Sequence, residues 1–329
     1  MNKKILVSVI VCTYNRAQLF KNFLESFFSQ EGDFPDCELI IVDNNSRDET
    51  KKVCEEYETN KKINVKYLFE TKQGLSYARN LAVQNASGDV LAFIDDDVSV
   101  DSKWLTMVKK LSDSYMQYAA FGGKIVPLWE KMKPKWVSFE GKYPVIQSVF
   151  PSHDYGDEIR EYPIKTQKNP IGANMIFRKF VFEKYGHFRE DLGVYGAQNK
   201  SCGLCEDTEF VWRILGNGEK ALYYPPAVIY HYVPSERSSK AYIKNWYYRL
   251  GGSLTRIKHN YYDKENYVRL WGTPVWAFRK LVKPAFLLIF SGNSEKRFFY
   301  KLHFYRMLGS ISEFSYHFMN KQKRTSNII

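Results

Sequence analysis

The sequence predicts an α/β fold with a central, mostly parallel mixed sheet, followed by a helical segment rich in basic and aromatic residues. Three observations predict it. Apolar, β-branched runs alternate with helical stretches from residue 5 to residue 97, which is the pattern of βαβ units feeding a parallel sheet. One of these runs, in "GDVLAFIDDDVSV" (Gly88 to Val100), ends abruptly in three aspartates. Charge is also uneven: residues 232–329 hold 18 Lys+Arg against 5 Asp+Glu, so the net charge of +12 resides in the last 98 residues.

The first strand is expected over residues 5–12. Two lysines and an apolar run imitate a signal peptide there, but Tyr14, Asn15 and Arg16 follow in place of a small-residue cleavage site, so a buried strand fits better. Further strands are expected at 37–42, 65–69 and 90–94, with helices at 17–30, 47–59, 75–86 and 103–116. "YAAFGGKIV" adds a strand, and then the regular alternation stops. Residues 127–170 are rich in Pro, Trp, Lys and Tyr without a clean period, and a loop of that length in a compact domain is usually functional. "NPIGANMIFRKFVFEKYGHF" supplies a strand and a helix start, and "CEDTEFVWRILGNG" a helix from Glu206 to Leu215. "ALYYPPAVIYHYVP" reads as two short strands divided by prolines.

Composition is that of a globular chain of 329 residues, 44% hydrophobic and 26% charged, able to hold one large core or two smaller ones. Five cysteines are an odd, scattered set that suggests a reducing compartment. Cys202 and Cys205 have redox spacing but no second such pair. The basic C-terminal segment carries 21 of the 54 aromatic residues, and its uncharged stretches, such as residues 284–294, fall short of the roughly 20 apolar residues a spanning helix needs. Such a segment suits an anionic membrane surface. Nucleic acid would accept the same charge, but the Leu, Ile and Phe clusters favour lipid and no nucleic acid partner is expected. A helical subdomain with a solvated basic face is the plainer alternative.

Three adjacent carboxylates repel one another unless a cation, hydrogen-bond donors or water absorb the charge. A solvated turn is the simplest reading of the triplet Asp95, Asp96 and Asp97. Its position at the end of a parallel strand points elsewhere, because ligands in open α/β sheets bind at the carboxyl edge. Asp43, after "CELIIV", and residues 13–16, after the first strand, fall on the same predicted edge. Asp43 would equally serve as the N-cap of the helix expected near Arg47.

In order, "VSVIVCTYNR", "LIIVDNNSRDET", "GLSYARN", "AFIDDDV", "GANMIFR" and "CEDTEF" resemble the inverting family 2 glycosyltransferases of GT-A fold, over about residues 5–235. The segment beyond 235 is similar only loosely to the basic tails of some bacterial members. The resemblance implies a GT-A-like nucleotide-binding domain over 1–235, with a nucleotide-sugar half at 5–126 and an acceptor and catalytic half at 127–235. A helical, membrane-associating region would follow at 236–329, placing the protein on the inner face of the cell membrane. The nucleotide-diphosphate sugar donor would be held by Thr13, Asn15, Arg16 and Asp43 at its base and ribose. Arg79 would lie near the diphosphate, where a planar guanidinium suits phosphate oxygens, and Asp96 is grouped with the donor.

The triplet is similar to the family's DXD element, with Asp95 facing the nucleotide and Asp97 binding a divalent metal, Mn²⁺ or Mg²⁺. His231 stands where some relatives have a third ligand and would favour Mn²⁺; a packed imidazole is the alternative. Asp207 matches the family's general base, whereas local chemistry alone favours first-turn helix capping; the ordered motifs decide for the base. Gly172, Ala173, Asn174 and Glu206 would contact the acceptor, a glycan or lipid-linked hydroxyl. The QxxRW element of processive members is absent from "EFVWRILGNG", so a single transfer is expected. A phosphatase of the haloacid dehalogenase type would share the text "DDDVS" but carries it on the first strand. A nucleotidyltransferase would carry a Gly-rich loop where "CTYNRAQ" has none, and a non-enzymatic membrane adaptor would leave the aspartate series without a cause.

Overall fold

The computed structural model describes residues 6–57, 62–163, 169–194, 203–258 and 265–326; Ile5 and Cys202 lie outside this set. Strands β1 (Val7–Thr13), β2 (Cys37–Asp43), β3 (Asn64–Phe69) and β4 (Val90–Asp95) run parallel in the order β3-β2-β1-β4. Helices α1 (Ala17–Phe28), α2 (Thr50–Tyr57) and α3 (Leu75–Asn85) connect them. Alternate residues of one strand enter different cores: Val7, Val9 and Val11 pack in one with Phe20 and Phe23 of α1, whereas Ile10 packs in the other with Phe93 and Ala78. Both sheet faces are therefore covered there, which is why β1, β2 and β4 read as largely apolar runs, whereas the edge strand β3 is half-exposed.

α2 begins three residues later than the sequence suggests. The carboxylate of Asp48 accepts from the backbone N–H (3.1 Å) and the hydroxyl (2.5 Å) of Thr50, so the capping role falls to Asp48.

After the triplet come β5 (Val98–Val100), α4 (Trp104–Ser114), β6 (Ala120–Trp129), β7 (Arg160–Glu161), β8 (Asn174–Arg178), α5 (Phe180–Tyr185), α6 (Glu206–Gly216) and β9 (Ala221–Val233). They complete a nine-stranded sheet in the order β3-β2-β1-β4-β8-β6-β9-β5, with β7 against β9. β8 is antiparallel to β4 and β6, while β9 is parallel to β6. β9 is one long strand and not the two short ones expected from its prolines. Gly123 pairs with Tyr224 and Lys124 with Val228, so Pro225, Pro226 and Ala227 form a bulge. Residues that cannot donate to a ladder leave it there, and pairing resumes beyond them.

The chain forms two compact units, Met1–Glu130 with Phe150–Gly196 and Glu206–Val233, and Lys131–Val149 with Ala197–Cys205 and Pro234–Ile329. The long loop expected at 127–170 is thus divided, its first part belonging with the C-terminal helices. In the second unit, α7 (Lys240–Ile257) is capped by Ser239, whose Oγ accepts from the N–H of Tyr242 at 3.1 Å. A hairpin, β10 (Arg269–Leu270) and β11 (Thr273–Pro274), leads into α8 (Val275–Phe290) and then α9 (Ser294–Ser326). α7 and α9 touch through their backbones: Gly251 abuts the main chain of Arg306, and Gly309 that of Tyr248, leaving no room for a Cβ. Arg256 and Glu313 form a buried ion pair at 2.6 Å beside them. Trp136 and Tyr143 of the loop pack on Phe298 and Phe299. Among the described residues no helix is long and apolar enough to cross a membrane.

Candidate active site

Strand register assembles the site. β1 pairs Thr13 with Asp43 on one side and Cys12 with Asp95 on the other, so the loop after β1, Asp43 and the triplet share one carboxyl edge. The strand order reverses at β1 and β4, and such a switch point opens a ligand crevice.

Asp43 is buried and does not cap α2. One carboxylate oxygen accepts from the Ser46 N–H at 2.8 Å and the other from the Tyr67 hydroxyl at 3.0 Å. Burial, and then the bond to Asp43, push the Tyr67 phenol up. Asn15 takes a left-handed conformation, φ 50°, which asparagine tolerates. Its N–H donates to the Ser46 Oγ at 2.9 Å and its Oδ1 accepts from the Arg47 N–H at 2.8 Å, tying the loops after β1 and β2 together. Asn44 performs the same service one loop further. Its amide donates to the Lys72 carbonyl at 2.7 Å and accepts from the Gly74 N–H at 2.8 Å, just ahead of α3. Sequence reasoning missed Tyr67 and the role of Asn44; strand register was the signal that would have found Tyr67, two residues before the partner of Asp43.

In the triplet each carboxylate has its own surroundings. Arg16 donates to Asp96 at 2.8 Å and to Asp97 at 3.2 Å, and the charge of Asp96 foremost strengthens the hold of the Arg16 guanidinium on its proton. Burial lifts the Asp96 carboxyl to about 6, with the Asp97 charge adding to it and Arg16 opposing. Burial also acts on Asp95, but a hydrogen bond from His231 and the charge of Arg79 outweigh it and hold the group below its ordinary value.

His231 arrives through antiparallel pairing of β5 with β9, which sets it opposite Val98. Its Nδ1 lies 2.9 Å from the Tyr232 carbonyl, and a carbonyl only accepts, so Nδ1 carries the proton. Nε2 then faces Asp97 Oδ1 (3.1 Å) and Asp95 Oδ2 (3.6 Å), donating to them when the imidazole is protonated and offering a lone pair when it is neutral. Ligand atoms of Asp95, Asp97 and His231 all lie within 4.8 Å of one another. Three converging lone pairs require a shared cation or an extra proton, and two carboxylate oxygens with one imidazole are a donor set that fits Mn²⁺ and, less well, Mg²⁺.

Arg79, on the second turn of α3, joins the triplet to the start of α6. Its guanidinium lies 2.7 Å from Glu206 and 3.5 Å from both Asp95 and the Gly172 carbonyl. Burial would cost it the proton, but Glu206 and then Asp95 hold the charge in place. Gly172 lacks a Cβ because Arg79 and Asp207 already fill the space. Its N–H donates to Asp207 Oδ2 at 2.8 Å, and Asp207 Oδ1 accepts from the Thr208 N–H at 2.6 Å. Asp207 therefore caps its own helix with one oxygen and rests the other on the loop before β8.

Burial first, then the Asp207 charge, lift Glu206 from 4.5 to about 7 against the pull of Arg79. The native state then binds more protons than the unfolded chain, so this contribution to stability is present below pH 4.5 and is lost as pH rises through 7. Glu206→Gln is expected to flatten the fall of melting temperature between pH 5 and 7 by roughly 3 °C per pH unit. Differential scanning fluorimetry across that range measures it, and parallel curves would refute it.

Asn174 was expected among the acceptor contacts, but its side chain is enclosed. Its Oδ1 accepts from the Trp104 indole at 3.1 Å, and its Nδ2 donates to the carbonyls of Ala227 (2.9 Å) and Lys124 (3.2 Å). The amide thus matches polar groups of α4, β6 and the β9 bulge, and its side chain is consumed by the fold. Gly172 and Ala173 are buried beside it, and Glu206 is buried with its carboxylate bound to Arg79.

Residues 8–186 match the family described as glycosyl transferase family 2. The glucosyl-dolichyl phosphate glucuronosyltransferase of Haloferax volcanii is 26% identical over 228 residues, covering 68% of this chain and 68% of its own. The succinoglycan biosynthesis protein ExoM of Rhizobium meliloti is 23% identical over 256 residues, covering 78% and 76%. Among solved structures, the mannosyltransferase PcManGT from Pyrobaculum calidifontis, in complex with GDP-Man and Mn²⁺, has a TM-score of 0.60 at 18% identity over 93% of this chain and 86% of that one, a likeness of fold. With the matched segment covering more than half of the chain and carrying the acidic edge, the chain belongs to glycosyltransferase family 2 and is a glycosyltransferase of GT-A fold.

Proposed function

We propose that this enzyme uses a divalent metal and moves one sugar, with inversion, from a nucleoside-diphosphate sugar to a hydroxyl of a glycan or lipid-linked acceptor. The observation that carries the reading is the convergence of Asp95, Asp97 and His231 within 4.8 Å, joined through Arg79 to Glu206 and to the Gly172 loop that holds Asp207. In this reading Thr13, Asn15, Arg16 and Asp43 would face the base and ribose, where a carboxylate offers acceptors only. Asp95, Asp97 and His231 would hold the metal, which when bound neutralises charge developing on the departing diphosphate. Arg79, kept charged by Glu206, sits where it would face the diphosphate oxygens.

Asp207 acts as the base in this reading. It takes the proton of the acceptor hydroxyl while that oxygen bonds to the anomeric carbon and the bond to the diphosphate oxygen breaks. Its two backbone donors fix the carboxylate's orientation without protonating it. Relatives support the substrate classes: the Haloferax enzyme is named for a dolichyl phosphate-linked sugar, and TarS of Staphylococcus aureus, similar in fold at a TM-score of 0.52, is described with UDP and with UDP-GlcNAc.

A thermal-shift panel of nucleoside diphosphates and sugar nucleotides tests this directly. One base is expected to raise the melting temperature by about 5 °C at 100 times its Kd with Mn²⁺ present, and not with chelator. No shift with any nucleotide, or a shift indifferent to metal, would overturn the reading.

A further inference from the structure

The second unit presents apolar side chains where a globular helix is ordinarily polar. Residues of α8 step by 100° about the axis, and its inward face is marked by buried Ala277 and Pro284. The opposite face centres on Phe286 and carries Val282, Ile289 and Phe290, exposed by 57%, 67%, 69% and 68% respectively. The rings of Phe286 and Phe290 stand 4.7 Å apart. Exposed Arg279 and Lys283 share this face and exposed Lys280 adjoins it.

The hairpin entering α8 has the same character. Its turn, Trp271-Gly272, has φ of 47° and 76°, the positive values of a type I′ turn, where Asn-Gly is ordinarily chosen. A bulky residue is strained at such a φ, yet Trp271 is there and 73% exposed, with Val268 exposed beside the hairpin. Gly272 has Phe318 of α9 where a Cβ would stand, so the turn is seated and its tryptophan projects. Tryptophan, with an apolar body and one N–H, is the side chain suited to the level of lipid headgroups.

Charge decides what covers this surface. Residues 232–329 hold 18 Lys+Arg against 5 Asp+Glu, which repels a second copy and attracts an anionic bilayer. We propose that the outward face of α8 and the Trp271 turn dock the enzyme on an anionic lipid surface, the apolar side chains entering the headgroup boundary and Arg279, Lys280 and Lys283 pairing with lipid phosphates. This deepens the proposed function, because a lipid-linked acceptor is presented at such a surface. Binding to lipid is read without donor or acceptor, so its failure and the failure of the transfer reading remain distinct.

The test is sedimentation of the full chain with vesicles of mixed phosphatidylglycerol and phosphatidylcholine, or of phosphatidylcholine alone. Wild type is expected on the anionic vesicles and to be released by salt. Phe286→Ser with Ile289→Ser and Phe290→Ser is expected to weaken partitioning at least about tenfold, and Arg279→Gln with Lys280→Gln and Lys283→Gln roughly 100-fold. Trp271→Asn relieves the turn, so it is expected to raise the melting temperature while lowering vesicle binding, a pairing that a purely structural tryptophan would not produce. Equal binding to both vesicles, or unchanged binding in the serine variant, would overturn the proposal. So would a dimer in analytical ultracentrifugation that the serine variant dissolves, since the face would then belong to a second copy.

Discussion

Asp207→Asn is expected to lower the transfer rate about 10²- to 10⁴-fold, the usual contribution of a positioned general base, while leaving affinity for the nucleoside diphosphate within a few-fold of wild type. Both oxygens of Asp207 accept backbone N–H groups, from Gly172 and from Thr208. An asparagine would match one of those donors with its carbonyl and oppose the other with its amide, so a modest loss of stability is expected as well. Single-turnover transfer beside calorimetric binding of the diphosphate separates the effects. A rate near wild type with an intact fold would remove Asp207 from the base role and return it to helix capping. A collapse of diphosphate affinity would show that it acts by holding the donor site together.

Asp97→Asn is expected to abolish the metal-dependent part of donor binding, an effect of about 100-fold or more on the apparent Kd in Mn²⁺. Its effect on the metal-free fold has the opposite sign. In the native site Asp97 Oδ1 faces His231 Nε2 at 3.1 Å and Oδ2 accepts from Arg16 at 3.2 Å. An asparagine would turn its N–H toward Nε2 and its carbonyl toward Arg16, removing one like charge from the triplet. The metal-free melting temperature is therefore expected to hold or rise, as befits a residue kept for binding at a cost in stability. The measurement is the melting temperature with nucleoside diphosphate, in Mn²⁺ and in chelator. Retention of the Mn²⁺-dependent increment would exclude Asp97 as a ligand.

Residues near one another in the chain were the ones legible from it. The parallel strands β1, β2 and β4 announce themselves as apolar runs because both faces of the sheet are covered there, and their polar ends mark the carboxyl edge. α6 begins at Glu206 as its acidic first turn suggests. Local signals misled where a non-local interaction overrode them. Pro225 and Pro226 suggested a break, yet pairing with β6 carries β9 through by a bulge. Asn174 looked like a contact for a ligand, yet Trp104, Lys124 and Ala227 consume its amide from 70, 50 and 53 residues away. No periodicity placed residues 131–149 with the C-terminal helices, because their anchors are aromatic contacts to residues 298 and 299.

By itself the sequence determined the alternation of strands and helices, the acidic edge and the basic, aromatic C-terminal segment, since hydrophobic period and charge are properties of neighbouring residues. Tertiary structure alone decided how the edge is wired. It set Arg79 against Glu206 across 127 positions, brought His231 to the triplet through the register of β5 with β9, and chose the imidazole tautomer through the Tyr232 carbonyl. It also turned the apolar side chains of α8 outward. The physical reason is common to all of these: buried charges and polar groups must find partners, and which partners are in reach depends on the packing of segments far apart in the chain.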